Sequence, residues 1–119
     1  MKQFIRVTKA LSDPNRVRVL KLLQSGELCV CEIQAVLGLA QSTVSKHMKI
    51  LEDAGLVNRQ RQGTWILYSL SDGSESIYAG TLLAELRNWL EQDNELARMR
   101  SSLPSAAANR YCNNKNRKT

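Results

Sequence analysis

In the stretch Glu27-Leu28-Cys29-Val30-Cys31-Glu32-Ile33 two thiols lie two residues apart, and a third, Cys112, follows Tyr111 near the end of the 119-residue chain. An odd number of cysteines, two of them nearly adjacent, does not make a disulfide framework. Thiolates select soft centres, so Cys29 and Cys31 are candidate ligands for a soft metal or metalloid. On a regular helix, residues i and i+2 point in different directions. One centre can take both thiols only if the backbone around Val30 unwinds or the helix starts late. The same spacing argues against two small buried hydrophobes, because one apolar face cannot hold both. A thiol enzyme is a third alternative, but no Cys-x-x-Cys, general base or substrate pocket accompanies the pair. A redox or persulfide sensor, oxidising Cys112 with Cys29 or Cys31, stays open.

The elements around the pair are helical. Residues 3–11 read as a short helix, and Asp13-Pro14 is the N-cap and first-turn signature of a second, whose Val17, Leu20 and Leu23 share a face until Gly26. Ile33, Val36 and Leu37 mark a third short helix ending at Gly38, and Val44, Met48 and Leu51 a fourth from about Gln41 to Ala54. Two helices joined by a short glycine-containing turn are a helix-turn-helix. Val57–Arg61 and Trp65–Leu70 are β-rich runs around Gln62-Gly63, a hairpin wing. From about Ser74 a long helix carries Ile77, Leu82, Leu83, Leu86, Trp89 and Leu90, an apolar surface broad enough to include a dimer interface. Trp65, Tyr68 and Trp89 read as core residues. The fold class is mainly α with a small β-hairpin: a winged helix-turn-helix of five or so helices.

Off the buried stripe of the fourth helix stand Gln41, Ser42, Thr43, Ser45, Lys46 and Lys49, with His47 near its boundary. Small hydroxyls let a helix sit deep in the major groove, glutamine can pair with adenine, and lysines neutralise phosphates. Any solvated helix face has a similar composition. Arg59, Arg61 and Gln62 in the wing supply a second element on the same duplex and favour the DNA reading. His47, the only histidine, cannot anchor an all-nitrogen metal site and reads as a phosphate contact. Ala40 stands where a Ser or Thr cap is expected, leaving the first turn less firmly held.

The net charge of +6 sits in residues 96–119, which hold six bases and no acid, while residues 1–95 are neutral. The expected organisation is a winged helix-turn-helix and dimerisation domain over 1–95 and a basic tail over 96–119; beyond Pro104 the composition, rich in Ser, Ala, Asn, Arg and Lys, cannot bury enough to fold alone. A general DNA binder gripping through that tail is the competing reading. No apolar run suits a leader or a membrane span, so the expected location is cytoplasmic with no membrane partner.

Four segments taken in order, Ala10 to Arg16, the Cys29–Cys31 segment, Gln41 to Val57 and the wing, resemble the ArsR/SmtB family of metal-sensing repressors, and within it the arsenical-resistance type. The resemblance implies a homodimer joined through the first and last helices, bound to double-stranded operator DNA and released by an inducer, with no catalysis and no organic cofactor. It implies As(III) or Sb(III) on Cys29 and Cys31. A third cysteine found in some members falls here on Gln34, leaving Cys112 from the tail, or a water or small thiol, to complete the site. Two protein thiols alone would suit a methylated trivalent arsenical. Cd(II) or Pb(II) at the thiols remains open, whereas the paired histidines of zinc-sensing relatives are missing from residues 75–93.

Overall fold

The structure is a computed structural model, and it describes residues 1–103. Among these run α1 (Lys2–Ala10), α2 (Pro14–Leu23), β1 (Leu28–Cys29), α3 (Val30–Leu37), α4 (Gln41–Asp53), β2 (Val57–Gln62), β3 (Trp65–Leu70), α5 (Ile77–Leu86) and α6 (Asn94–Ser102). None of the described helices is long and apolar enough to cross a membrane.

Helix α2 begins as its sequence requires. Extended Asp13 accepts hydrogen bonds from the N–H groups of Asn15 (2.8 Å) and Arg16 (3.3 Å), and Pro14 takes the first turn, where its missing N–H costs nothing. Val19, Leu20, Lys21, Leu22 and Leu23 are all buried. Five consecutive buried residues occupy more than one face, so α2 is enclosed by its neighbours and forms the axis of the core. Around it pack Ile33 of α3, Val44, Met48 and Leu51 of α4, and Leu56 ahead of the wing.

Helices α3 and α4 meet through Gly38, whose left-handed backbone (φ 70°) closes α3. No side chain caps α4 at Ala40, so its first turn is held by backbone alone. The expected hairpin is present, and its register pairs Arg59 with Tyr68 and Gln62 with Trp65. A third strand joins it: β1 pairs antiparallel with β3, Leu28 opposite Tyr68 and Cys29 opposite Leu67, giving the order β1-β3-β2. Two residues are too few for a period-2 pattern to be visible in sequence.

The long last helix expected from about Ser74 is two helices. Helix α5 starts at Ser76, whose hydroxyl accepts from Ala79 N–H (3.1 Å), and ends at Leu86. The Lys21 ammonium, wholly buried, takes the carbonyls of Leu86 (2.9 Å) and Trp89 (2.7 Å), acceptors that a continuing helix would use itself. Leu90 then adopts φ 62°, a left-handed conformation unusual outside glycine. The chain restarts as α6, capped by Asp93 on Leu96 N–H (3.0 Å). Leu96 is buried and Glu95 pairs with Arg18 of α2 at 2.7 Å. The boundary expected between residues 95 and 96 thus falls inside α6, a helix packed on α2. Trp89, expected in the core, is 48% exposed, whereas Tyr68 is buried and Trp65 half-buried.

Candidate functional site

Helix α4 turns Val44, Met48 and Leu51 inward, and this fixes what its other face offers. Gln41, Ser42, Thr43, Ser45, Lys46 and Lys49 are exposed, as are Arg59, Arg61 and Gln62 on β2. A cleft of about 350 Å³ separates helix from wing, and Gln41, Ser45, Lys49 and Arg59 share its lining with Val30 and Tyr68. Amide, hydroxyl and cationic groups from two elements therefore face one space. Burial pushes the Tyr68 phenol up, and Arg59 beside it works in the opposite direction. Arg61 donates from Nε to Gly63 O (3.1 Å), tying its side chain to the wing's own turn. Lys49 pairs with Asp53 at 3.2 Å, one turn on. Such an exposed pair is weak and leaves Lys49 able to exchange partners.

His47 differs from its neighbours on α4. It is half-buried, and its Nδ1 lies 3.1 Å from Arg16 NH1. A guanidinium can only donate, so Nδ1 is the acceptor and the proton of the neutral ring sits on Nε2. Arg16 also donates from Nε to Ala10 O (2.8 Å) and from NH2 to Lys9 O (3.1 Å), the last carbonyls of α1. Burial raises the Asp13 pKa, but the Asn15 and Arg16 N–H bonds, helped by the charge of the Arg16 guanidinium, bring it below the usual value.

Cys29 is extended (φ −87°, ψ 163°) and precedes α3 as its N-cap, while Cys31 lies in the first turn. The helix starts late, between the two cysteines. Cys29 is 1% exposed, and with Leu67 it forms a small cluster against which Cys31 and Trp65 pack, apart from the main core. The buried Glu32 carboxylate accepts the Cys29 N–H (2.9 Å), the side-chain half of a capping box. Among the described residues no group of three or more His, Cys, Asp or Glu side chains is placed to hold a metal ion. Cys112 lies outside the described residues.

On another side, α1 and α5 line an apolar groove of about 280 Å³ that includes Phe4, Ile77, Tyr78 and Trp89. Ile77 is 75% exposed, and Phe4 meets Tyr78 edge-on with centroids 5.3 Å apart. Large apolar side chains gathered on one exposed face are the mark of an interaction surface.

Sequence reasoning passed over Arg16, Glu32 and Lys21. Glu32 carried a signal, since Glu three residues after a cap is the capping-box spacing. Arg16 and Lys21 carried none, because their partners are 31 and at least 65 residues away.

Residues 13–59 match the family model described as "Bacterial regulatory protein, arsR family". The chain is 37% identical over 73 residues to the arsenical resistance operon repressor of Bacillus subtilis, covering 60% of this chain and 70% of that protein. It is 43% identical over 67 residues to an uncharacterised HTH-type transcriptional regulator of Methanocaldococcus jannaschii, covering 56% of this chain and 75% of that one. The homodimeric winged helix-turn-helix DNA-binding domain of a possible ArsR-family regulator from Mycobacterium bovis superposes with a TM-score of 0.62 at 32% identity, over 73% of this chain and 77% of that one. With the family segment spanning all of α2 from its Asp13 cap, the Cys29–Cys31 segment, the helix-turn-helix and the start of the wing, the chain belongs to the ArsR family of winged helix-turn-helix transcriptional regulators.

Proposed function

We propose that this regulator is a homodimeric repressor released from its operator when trivalent arsenic or antimony binds Cys29 and Cys31. The observation that carries the reading is the late start of α3. With Cys29 extended and Cys31 in the first turn, the thiols escape the divergence that a regular helix imposes on i and i+2. The likeness to a repressor named for arsenical resistance supports the choice of inducer.

The chemistry is ligand exchange. Each cysteine that attacks arsenous acid forms one As–S bond and sends its proton out with a departing hydroxide as water, and no electrons change hands. Soft As(III) favours three sulfurs. Cys112 supplies the third: it stands nine positions after Leu103, the last of the described residues, and nine residue steps reach about 30 Å when extended. Gathering the thiols on one centre pulls on the first turn of α3 and on β1. Helix α3 packs on α4, and β1 pairs with wing strand β3. Both DNA-facing elements thus feel the inducer, and a coupling of about 1–3 kcal/mol, 5–150-fold in affinity, empties an operator held near its dissociation constant.

On the DNA side, Gln41, Ser42, Thr43 and Ser45 read base edges or bond phosphates, and Lys46, Lys49, Arg59 and Arg61 neutralise phosphates, with Gln62 and the Nε2–H of His47 as neutral contacts. The groove between α1 and α5 joins the protomers, as the exposure of Phe4, Ile77 and Trp89 favours.

The test is fluorescence anisotropy of a labelled promoter duplex with reduced protein, titrated with arsenite and in parallel with Zn(II) and Cd(II). Arsenite is expected to release the wild type and to leave Cys31→Ser and Cys112→Ser bound. Release of Cys112→Ser at the wild-type concentration removes the third thiol from the site. Release by oxidants but not by arsenite replaces the inducer with a redox signal.

A further inference from the structure

The Arg16–His47 contact joins the two parts of the molecule that a dimeric repressor must hold in register. Arg16 sits in the first turn of α2 and grips the last two carbonyls of α1, at Lys9 and Ala10. From the same guanidinium NH1 reaches across to Nδ1 of His47 on α4. Helix α1 lines the exposed apolar groove through Phe4 and Val7, and α4 presents the exposed polar face next to Lys46. One always-charged, planar donor set therefore bonds the end of the groove-lining helix and the middle of the DNA-facing helix at the same time.

We propose that Arg16 is a positioning residue that sets the placement of α4 relative to α1 through His47, and so sets the half-site spacing that the dimer accepts. The inference rests on the DNA-binding dimer proposed above. In a two-fold dimer the distance between paired recognition helices must match the separation of the half-sites along the duplex. A rotation of α4 against α1 moves its outer face in both protomers, in opposite directions about the dyad, so a small error at His47 is doubled at the DNA. The Arg16–His47 hydrogen bond is directional and charge-assisted, and it holds one arrangement. The bond also fixes the ring tautomer, which leaves Nε2–H as the donor on the other side of the ring.

The probe is a duplex selected from a random pool by the wild-type protein, together with the same duplex in which the half-sites are moved apart by one base pair. Four proteins are compared: wild type, His47→Asn, His47→Leu and Arg16→Met. Asparagine keeps an acceptor near the position of Nδ1 and removes Nε2; leucine removes both. If Arg16 positions α4, wild type and His47→Asn prefer the original spacing, and His47→Leu and Arg16→Met lose about tenfold of that preference, the scale of one hydrogen bond to a charged group. His47→Leu leaves the bonds from Arg16 to Lys9 and Ala10 in place, so the test survives a poorly folded Arg16→Met. If His47→Leu discriminates between the spacings as wild type does, the positioning role is wrong while the DNA reading stands. If His47→Asn and His47→Leu lose affinity equally on both duplexes, His47 is a plain phosphate contact. If the wild-type protein selects no two-fold duplex at all, the dimeric repressor reading itself fails.

Discussion

Lys21 Nζ meets Glu91 Oε2 at 2.5 Å, with the lysine side chain wholly buried and the glutamate half exposed. The same ammonium takes the carbonyls of Leu86 and Trp89, so all three of its protons are used. A cation without exposure is tolerated only when fully partnered. Here the partners are two carbonyls at and just beyond the end of α5 and the carboxylate of Glu91, which lies in the segment between α5 and α6. Arg100 of α6 closes the arrangement by donating to Lys21 O (3.3 Å) and Gln24 Oε1 (3.2 Å).

Replacing Lys21 with methionine keeps the stem and deletes the donors. The carbonyls of Leu86 and Trp89 lose their partner, and the expected cost is about 2 kcal/mol of unfolding free energy. Urea denaturation followed by tryptophan emission checks it. Hydrogen bonding from Lys21 also holds the Glu91 carboxyl below the usual carboxylate range. A depressed native pKa contributes stability at neutral pH that is lost as pH falls through the native value. The acid-side loss of stability is therefore expected to be shallower in Lys21→Met than in wild type, and parallel pH curves would count against the pair.

Gly80 lies within α5, where alanine ordinarily stabilises a helix by about 1 kcal/mol. A Cβ there would stand 2.9 Å from the carbonyl oxygen of Gly73, a backbone atom in the turn before the helix. Gly80→Ala is expected to destabilise, reversing the usual sign, because overpacking costs about 1–3 kcal/mol. Thermal melting of the variant decides between the two signs. A rise in Tm would mean that the 71–76 turn gives way.

The same two cases show what could be read in the sequence. Elements set by local rules were legible: Asp13-Pro14 opening α2, Gly38 and Gly55 closing α3 and α4, and Val44, Met48 and Leu51 choosing which face of α4 goes inside. The outward face of α4 followed from that choice. The end of α5 was not legible, since apolar spacing runs on through Trp89 and Leu90 while the helix is ended by a lysine 65 residues earlier. Strand β1 was hidden by its shortness. The thiol pair was visible as chemistry, but its backing by Leu67 and Trp65 depends on the β1–β3 register.

Asp13→Ala removes the cap of α2 and is expected to cost about 1 kcal/mol, within the range of N-cap deletions. Asp13→Asn keeps an acceptor for Asn15 and Arg16 but cannot titrate. Burial raises the Asp13 pKa and the N–H bonds from Asn15 and Arg16 outweigh it, leaving it lowered. Its contribution is therefore complete above the unfolded-state value and disappears as pH falls through the native one. Wild type should lose more stability than Asp13→Asn over that acid window, which equilibrium unfolding at several pH values will show.

Lys46 and Lys49 lie three residues apart on the exposed face of α4, but only Lys49 carries an ion pair among the described residues, to Asp53. A lysine that neutralises one phosphate releases about one counterion, so Lys46→Ala is expected to weaken binding to all duplexes alike and to reduce the salt slope by about one. Lys49 arrives at DNA with part of its charge already answered by Asp53, and Lys49→Ala should change the slope less. Asp53→Ala frees that charge and should steepen the slope. Anisotropy titrations at several salt concentrations measure all three. An unchanged slope in Lys46→Ala would take Lys46 off the phosphate backbone and leave the wing, through Arg59 and Arg61, as the main cationic contact of the folded domain.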